Sequence, residues 1–218
     1  MTRRRTAILI SGRGSNMESL LRAAADPAFP AEIVGVVSNR PDAAGIGRAR
    51  ALGVRAEAID HRAFAGRAGF EAALDARLRA LGADLVCLAG FMRLLTAPFV
   101  EAWRDRILNI HPSLLPSFPG LDTHARAIAA GARFAGCTVH VVRPEMDSGP
   151  IIAQAAVPIL PGDDEAALSA RVLAAEHRLY PMAVALYASG SARVEGERIA
   201  YGRGVRFAEV ASFGPMPG

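Results

Sequence analysis

The sequence predicts an α/β fold in one domain: a mostly parallel, twisted sheet flanked by helices, with an antiparallel extension in the C-terminal half. Three observations predict it. Short apolar runs alternate with segments of helical period along the chain. The first apolar run passes into a glycine-bearing turn, SGRGSN at residues 11–16, which opens a helix as in a Rossmann-like half-domain. Two late apolar runs are joined by the polar segment RPEMDSGP.

Each element follows from local pattern. Residues 6–10 read as a first strand, followed by a helix near 16–25. A second strand spans 32–37, and a helix spans 43–52 after the turn SNRPD. Residues 54–59 form a short third strand. Residues 69–81 form an amphipathic helix, with Phe70, Leu74, Leu78 and Leu81 on one face. Buried strands follow at 83–89 and 107–110. Three prolines in 112–120 exclude a helix interior there. Strands at 137–142 and 151–159 flank the polar loop. A closing helix spans 163–187, with Gly162-Asp163 as its start signal and Pro181 as a point of kinking or division. The tail ARVEGERIAYG reads as a hairpin around Glu195-Gly196, and the final FGPMPG is expected to be mobile.

Composition narrows the chemistry. The chain has 218 residues and a formal net charge of +4, and its 25 basic residues are all arginine. The lack of lysine excludes a Schiff-base lysine and a Walker A loop. The arginines are scattered rather than interleaved with aromatics, which disfavours a nucleic-acid surface and is compatible with an anionic small molecule. Cys87 and Cys137 lie in apolar runs without metal-ligand spacing, so buried reduced thiols are expected and no metal. No apolar run reaches the roughly 18 residues of a membrane span. The basic start precedes an apolar run too short for a signal peptide, so a cytoplasmic location is expected, with no membrane partner.

Three motifs carry chemistry. In SGRGSN, Gly12 and Gly14 allow close backbone approach at a helix N-terminus, where free N–H groups bind anions. An ordinary strand–helix turn is the alternative. Met17 occupies the third glycine position of the dinucleotide motif, which disfavours an oxidoreductase. The second motif, LAGFMRLL at 88–95, follows a strand; Phe91, Met92, Leu94 and Leu95 either cover a flat heterocycle or pack the core. The third is ILNIHPSLLP at 107–116. Asn109 and His111 stand two apart on a strand and therefore share a face. With a carboxylate at Asp147, these residue types suit acyl-type transfer. The amide donates to a developing oxyanion, the imidazole moves a proton, and the carboxylate holds the imidazolium.

Together the motifs resemble the phosphoribosylglycinamide formyltransferases, folate-dependent enzymes of purine synthesis. SGRGSN, LAGFMRLL, ILNIHPSLLPSFPG, MDSGPIIAQAAVPI and AEHRLYP occur in that family's order over residues 7–187. HPSLLP is shared with related formyltransferases, whereas SGRGSN and the chain length point to this member. The resemblance implies the formyltransferase fold, with residues 1–104 as the phosphate-binding half and 105–218 as the catalytic and folate-binding half. It implies that Gly14, Ser15 and Asn16 hold the ribose phosphate of glycinamide ribonucleotide and that Glu176 contacts its ribose hydroxyls. It implies that Arg67, Met92, Arg93, Leu94, Leu95, Asn109, Arg143, Pro144, Glu145, Met146 and Asp147 bind 10-formyltetrahydrofolate, and that Asn109, His111 and Asp147 are catalytic. A monomer or homodimer acting on small molecules is expected. Asp122 departs from the family, which often has histidine there; His124 is retained.

Other readings make different demands. Hydrolysis of the formyl donor uses the same trio, but relatives doing so carry an N-terminal regulatory domain, and here the first strand begins near Thr6. Formylation of methionyl-tRNA or of an amino-sugar nucleotide calls for additional domains. A non-catalytic nucleotide-binding module has no need of all three residues.

Overall fold

The structure, a computed structural model, describes residues 2–207. The expectation for FGPMPG lies outside the described residues. A seven-stranded sheet has the order β3-β2-β1-β4-β5-β6-β7. Its strands are β1 (Arg4–Ile10), β2 (Ala31–Ser38), β3 (Ala56–Ala58), β4 (Leu85–Leu88), β5 (Ile107–His111), β6 (Phe134–Val141) and β7 (Ile151–Pro158). The first five run parallel, and β6 and β7 add antiparallel to β5. Both predicted features of the sheet are present.

β1 shows why these runs are continuous rather than alternating. Ala7 and Leu9 enter one apolar cluster, Ile8 and Ile10 the other, and all four are fully buried. A parallel strand covered on both faces needs apolar residues at every position. Burying each of the larger side chains contributes about 1.5–3 kcal/mol. On one face lie α1 (Ser15–Ala24), α2 (Ala44–Ala51) and α6 (Glu165–Ala188); on the other lie α3 (Arg67–Ala80) and α4 (Ala97–Ala102). α3 presents Phe70, Leu74 and Leu78 to its cluster, as its spacing predicts.

Several local expectations are corrected. α6 starts one residue after Asp164, whose carboxylate accepts from Ala167 N at 2.8 Å; Gly162-Asp163 is not the cap. Asp163 instead pairs with Arg171 at 2.6 Å. α6 also runs unbroken through Pro181, because Tyr180, Ala183 and Val184 bury its next turn against the sheet. Two short helices were unforeseen, α4 and α5 (Thr123–Ala129), as was a 3₁₀ turn at His61–Ala63. The hairpin forms as predicted, from β8 (Ala192–Glu195) and β9 (Arg198–Tyr201). Among the described residues, no helix is long and apolar enough to cross a membrane.

The sheet order fixes where a ligand can sit. From β1 the chain moves outward to β2 and β3, then returns across to β4 and β5. The crevice beyond the carboxyl ends of β1 and β4 is the topological switch point, where such sheets bind ligands. The loops leaving β1, β4 and β5 all open there.

Candidate active site

β5 carries Asn109 and His111 on the face shared with Ile107, while Leu108 and Ile110 point into the opposite cluster. Asn109 lies across from His140 on β6, and its Nδ2 is 3.2 Å from His140 Nε2. His140 Nδ1 is 3.2 Å from the Val141 carbonyl, so Nδ1 donates and Nε2 accepts in the neutral ring. Burial pushes the His140 pKa down, which favours that neutral form. The histidine thus orients the Asn109 amide, occupies one of its N–H groups and leaves the second for a substrate oxygen.

His111 faces an oxygen at each ring nitrogen. Nδ1 lies 3.5 Å from Asp147 Oδ1, and Nε2 lies 3.2 Å from the Phe118 carbonyl. Asp147 is held in turn: its Oδ2 accepts from Gly120 N at 2.8 Å. Phe118 and Asp147 both adopt positive φ, 53° and 55°. Two non-glycine residues in the left-handed region flanking one imidazole are backbone strain concentrated at a site, as active sites often show. The proline-rich loop and the Asp147 loop, far apart in sequence, therefore close on His111 from two sides.

The turn after β1 forms the second part. Gly14 takes φ 75° at the N-terminus of α1, where no side chain caps the helix. A Cβ there would stand 3.2 Å from Gly45 Cα of α2, so the turn is pressed onto that helix. Asn16 Nδ2 donates to Glu176 Oε2 of α6 at 2.6 Å, across 160 positions of sequence. Burial pushes the Glu176 pKa up, and the Asn16 bond opposes this. Asn16 Oδ1 is buried without a protein partner, which leaves an acceptor for a hydroxyl or amide.

The loop after β4 is tied to the first turn. Ser11 N donates to the Gly90 carbonyl at 3.1 Å, and Met92 N donates to Ser11 Oγ at 2.8 Å. Ser11 Oγ then donates to Asn39 Oδ1 at 2.6 Å. At the loop's far end Thr96 N donates to the buried carboxylate of Glu71 at 2.8 Å, which sets the start of α4. Of the apolar residues in LAGFMRLL, Phe91 and Leu95 pack the core, while Met92 and Leu94 are exposed. Arg93 stacks over Phe70 at 5.3 Å. A cleft of about 400 Å³ at the switch point is lined by Ser11, Gly12, Asn39, Arg40, His61, Gly90, Met92 and Arg93.

The structure brings together Asn109, His111 and Asp147, and separately Asn16 with Glu176 beside Gly14 and Ser15. Arg67 is exposed at the start of α3. Pro144, Glu145 and Met146 lie in the Asp147 loop, with Met146 exposed. Arg143 opens the same loop, with its guanidinium engaged by Glu197 and Asp105. Asp122 stands at φ 55° ahead of α5 without capping it. The supporting groups His140, Gly120, Glu71 and the Phe118 carbonyl escape sequence reasoning, because each acts through strand register or loop closure. Alternation along β6 marks His140 as able to face Asn109 only once the β5–β6 register is known.

A family model described as formyl transferase matches residues 4–184. The trifunctional purine biosynthetic protein adenosine-3 of Drosophila melanogaster is 49% identical over 197 residues, 89% of this chain. The chain spans 15% of that protein's length. The phosphoribosylglycinamide formyltransferase of Escherichia coli (strain K12) is 40% identical, over 88% of this chain and 94% of its own. Among solved structures, glycinamide ribonucleotide transformylase 1 from Symbiobacterium toebii superposes with a TM-score of 0.89 at 49% identity, covering 91% of this chain and 94% of that one. Phosphoribosylglycinamide formyltransferase from Brucella melitensis gives 0.83 at 54%, covering 87% and 97%.

Proposed function

The chain belongs to the formyl transferase family, and from that premise we propose that it acts as a phosphoribosylglycinamide formyltransferase. The reaction moves the formyl group of 10-formyltetrahydrofolate to the amine of glycinamide ribonucleotide. Its products are formylglycinamide ribonucleotide and tetrahydrofolate. The observation that carries the reading is the meeting of Asn109, His111 and Asp147 at the end of β5, in a fold that also leaves an uncapped helix N-terminus backed by Glu176.

Each step has a group to perform it. The ribonucleotide phosphate lies on the N–H groups of Gly14, Ser15 and Asn16 at the positive end of α1. Its ribose hydroxyls donate to Glu176 and to the open Asn16 Oδ1. The folate rests on the loop of Met92, Arg93, Leu94 and Leu95, against the Asp147 loop and Arg67. The amine lone pair attacks the formyl carbon, and the carbonyl π pair moves onto oxygen. The free N–H of Asn109 stabilises that oxyanion, joined by an Nε2 proton of His111 as the oxyanion takes the place of the Phe118 carbonyl. The intermediate collapses with cleavage of the bond from carbon to N10. The proton shed by the amine reaches N10 through His111 or a water held by Asp147.

The test follows deformylation of 10-formyltetrahydrofolate by the purified protein, with and without glycinamide ribonucleotide. Turnover only with the ribonucleotide, yielding a formylated product, is expected. Equal turnover in its absence would make the protein a hydrolase of the same donor.

A further inference from the structure

We infer that Arg143 is a positioning residue, clamping the neck of the Asp147 loop between the β8–β9 hairpin and the turn that enters β5. The inference rests on the proposed reaction, since Asp147 is the group being positioned. Arg143 is only 7% exposed although it opens a polar loop. Its Nε donates to Glu197 Oε2 at 2.8 Å, in the tip of the hairpin. Its Nη2 lies 2.9 Å from Asp105 Oδ1, in the turn between α4 and β5, an ion-pair contact in which neither atom makes a hydrogen bond. Its Nη1 reaches the Val142 carbonyl at 3.3 Å.

Both carboxylates are themselves anchored. Asp105 sits at φ 59°, and its carbonyl accepts from Tyr187 of α6 at 2.8 Å. Glu197 also receives Arg104 at 2.9 Å. The hairpin that presents Glu197 is fixed to the sheet by Tyr201, whose hydroxyl donates to the Ile152 carbonyl of β7 at 2.7 Å. One guanidinium therefore joins the neck of the loop to two supports, the hairpin and the turn into β5. The planar guanidinium meets two carboxylates at once, Glu197 by a hydrogen bond and Asp105 by charge, a span that the compact lysine ammonium does not reproduce.

The neck of the loop closes on the same side chain. Val141 N donates to the Pro150 carbonyl at 2.9 Å, so outgoing and returning chain are paired there. A Cβ on Gly149 would stand 1.7 Å from the Val141 carbonyl oxygen and 3.1 Å from Arg143 Cγ. The aliphatic stem of Arg143 thus packs on Gly149, two residues beyond Asp147. Where the stem sits sets where the Asp147 carboxylate meets His111. Misplacement of a reacting group by about 1 Å can cost on the order of 100-fold in rate. The Glu197 side chain is 60% exposed, so its ion pair contributes little to global stability and can be removed in a folded protein.

The experiment compares Glu197→Gln, Arg143→Met and Arg143→Lys by kcat, by KM for each substrate, and by amide exchange across residues 143–149. Arg143→Met is expected to lower kcat by about 10- to 100-fold with KM for the ribonucleotide unchanged. Glu197→Gln is expected to lower kcat by a smaller factor, and Arg143→Lys to recover only part of the loss. Exchange in the loop is expected to quicken in all three. Wild-type kcat and wild-type loop exchange in Arg143→Met, even with a reduced Tm, would overturn the clamp. Should Arg143→Met fail to fold, Glu197→Gln decides by the same two readouts. Exchange needs no turnover, so an inactive unaltered protein would count against the reaction while the exchange result still judged the clamp.

Discussion

The two halves of the sheet build their parts of the site in opposite ways. The N-terminal half, to which we assign phosphate binding by proposal, uses backbone: residues 11–16 run continuously from β1 into α1, and the turn's shape follows from Gly14 at φ 75°. The β5–β7 half uses side chains delivered by separate loops, with His111 meeting Asp147 and the Phe118 carbonyl only after both loops close. A binding site for an anion can be local because a helix N-terminus already supplies aligned N–H groups. A proton-transfer site needs several groups held at fixed separations, and one strand cannot supply them all. The halves should accordingly fail differently, the first in affinity and the second in turnover.

The largest expected effect is in the β5–β7 half. His111→Ala should lose about 10²–10⁴-fold in kcat with KM for the ribonucleotide nearly unchanged, measured by steady-state kinetics. Next comes Gly149→Ala, which puts a methyl group where the Val141 carbonyl lies and should force the Asp147 loop open. A drop in kcat of at least about 10-fold is expected, together with faster proteolysis at the loop. Unchanged kinetics in that variant would show that the loop neck need not be closed.

The N-terminal half should respond more mildly and in a different parameter. Glu176→Gln should raise KM for the ribonucleotide by about 10-fold, the effect of weakening a hydrogen bond to a charged group, and leave kcat within about threefold. The same variant has a signature in stability. Burial raises the Glu176 pKa above its ordinary 4.5, so the folded state holds its proton more tightly than the unfolded chain. That contribution is full below pH 4.5 and fades as pH rises through the folded value. Chemical denaturation from pH 4 to 8 should show a flatter fall in stability for Glu176→Gln than for the unaltered protein.

The smallest effect concerns His140. Its folded pKa is lowered by burial, so its contribution to stability is present above the ordinary 6.5 and declines as pH falls. His140→Phe should reduce that decline between pH 7 and 5. Losing the partner of Asn109 should cost kcat less than Asn109→Ala does.

What could be read from sequence divides along the same line. The sheet, its long helices and the residues of SGRGSN were legible because period and glycine placement are local properties. Asn109 and His111 were legible as a pair because strand alternation is local too. Asp147 could be joined to them by residue type and by resemblance but not by spacing, and His140, Gly120 and Glu71 had no sequence signal, because register and loop closure join residues far apart. α4 and α5 have only six and seven residues, too short for a clear period. Asp164 rather than Gly162-Asp163 caps α6 because Asp163 is drawn off to Arg171, a tertiary choice that local cap rules do not rank.

The division of labour between the halves is tested most directly by Asp147→Asn, in which turnover and ribonucleotide affinity are measured on the same preparation. The prediction is a kcat lower by about 10²–10⁴-fold with a ribonucleotide Kd within about twofold of the unaltered protein's. Near-unaltered turnover, or a loss confined to ribonucleotide binding, would contradict it.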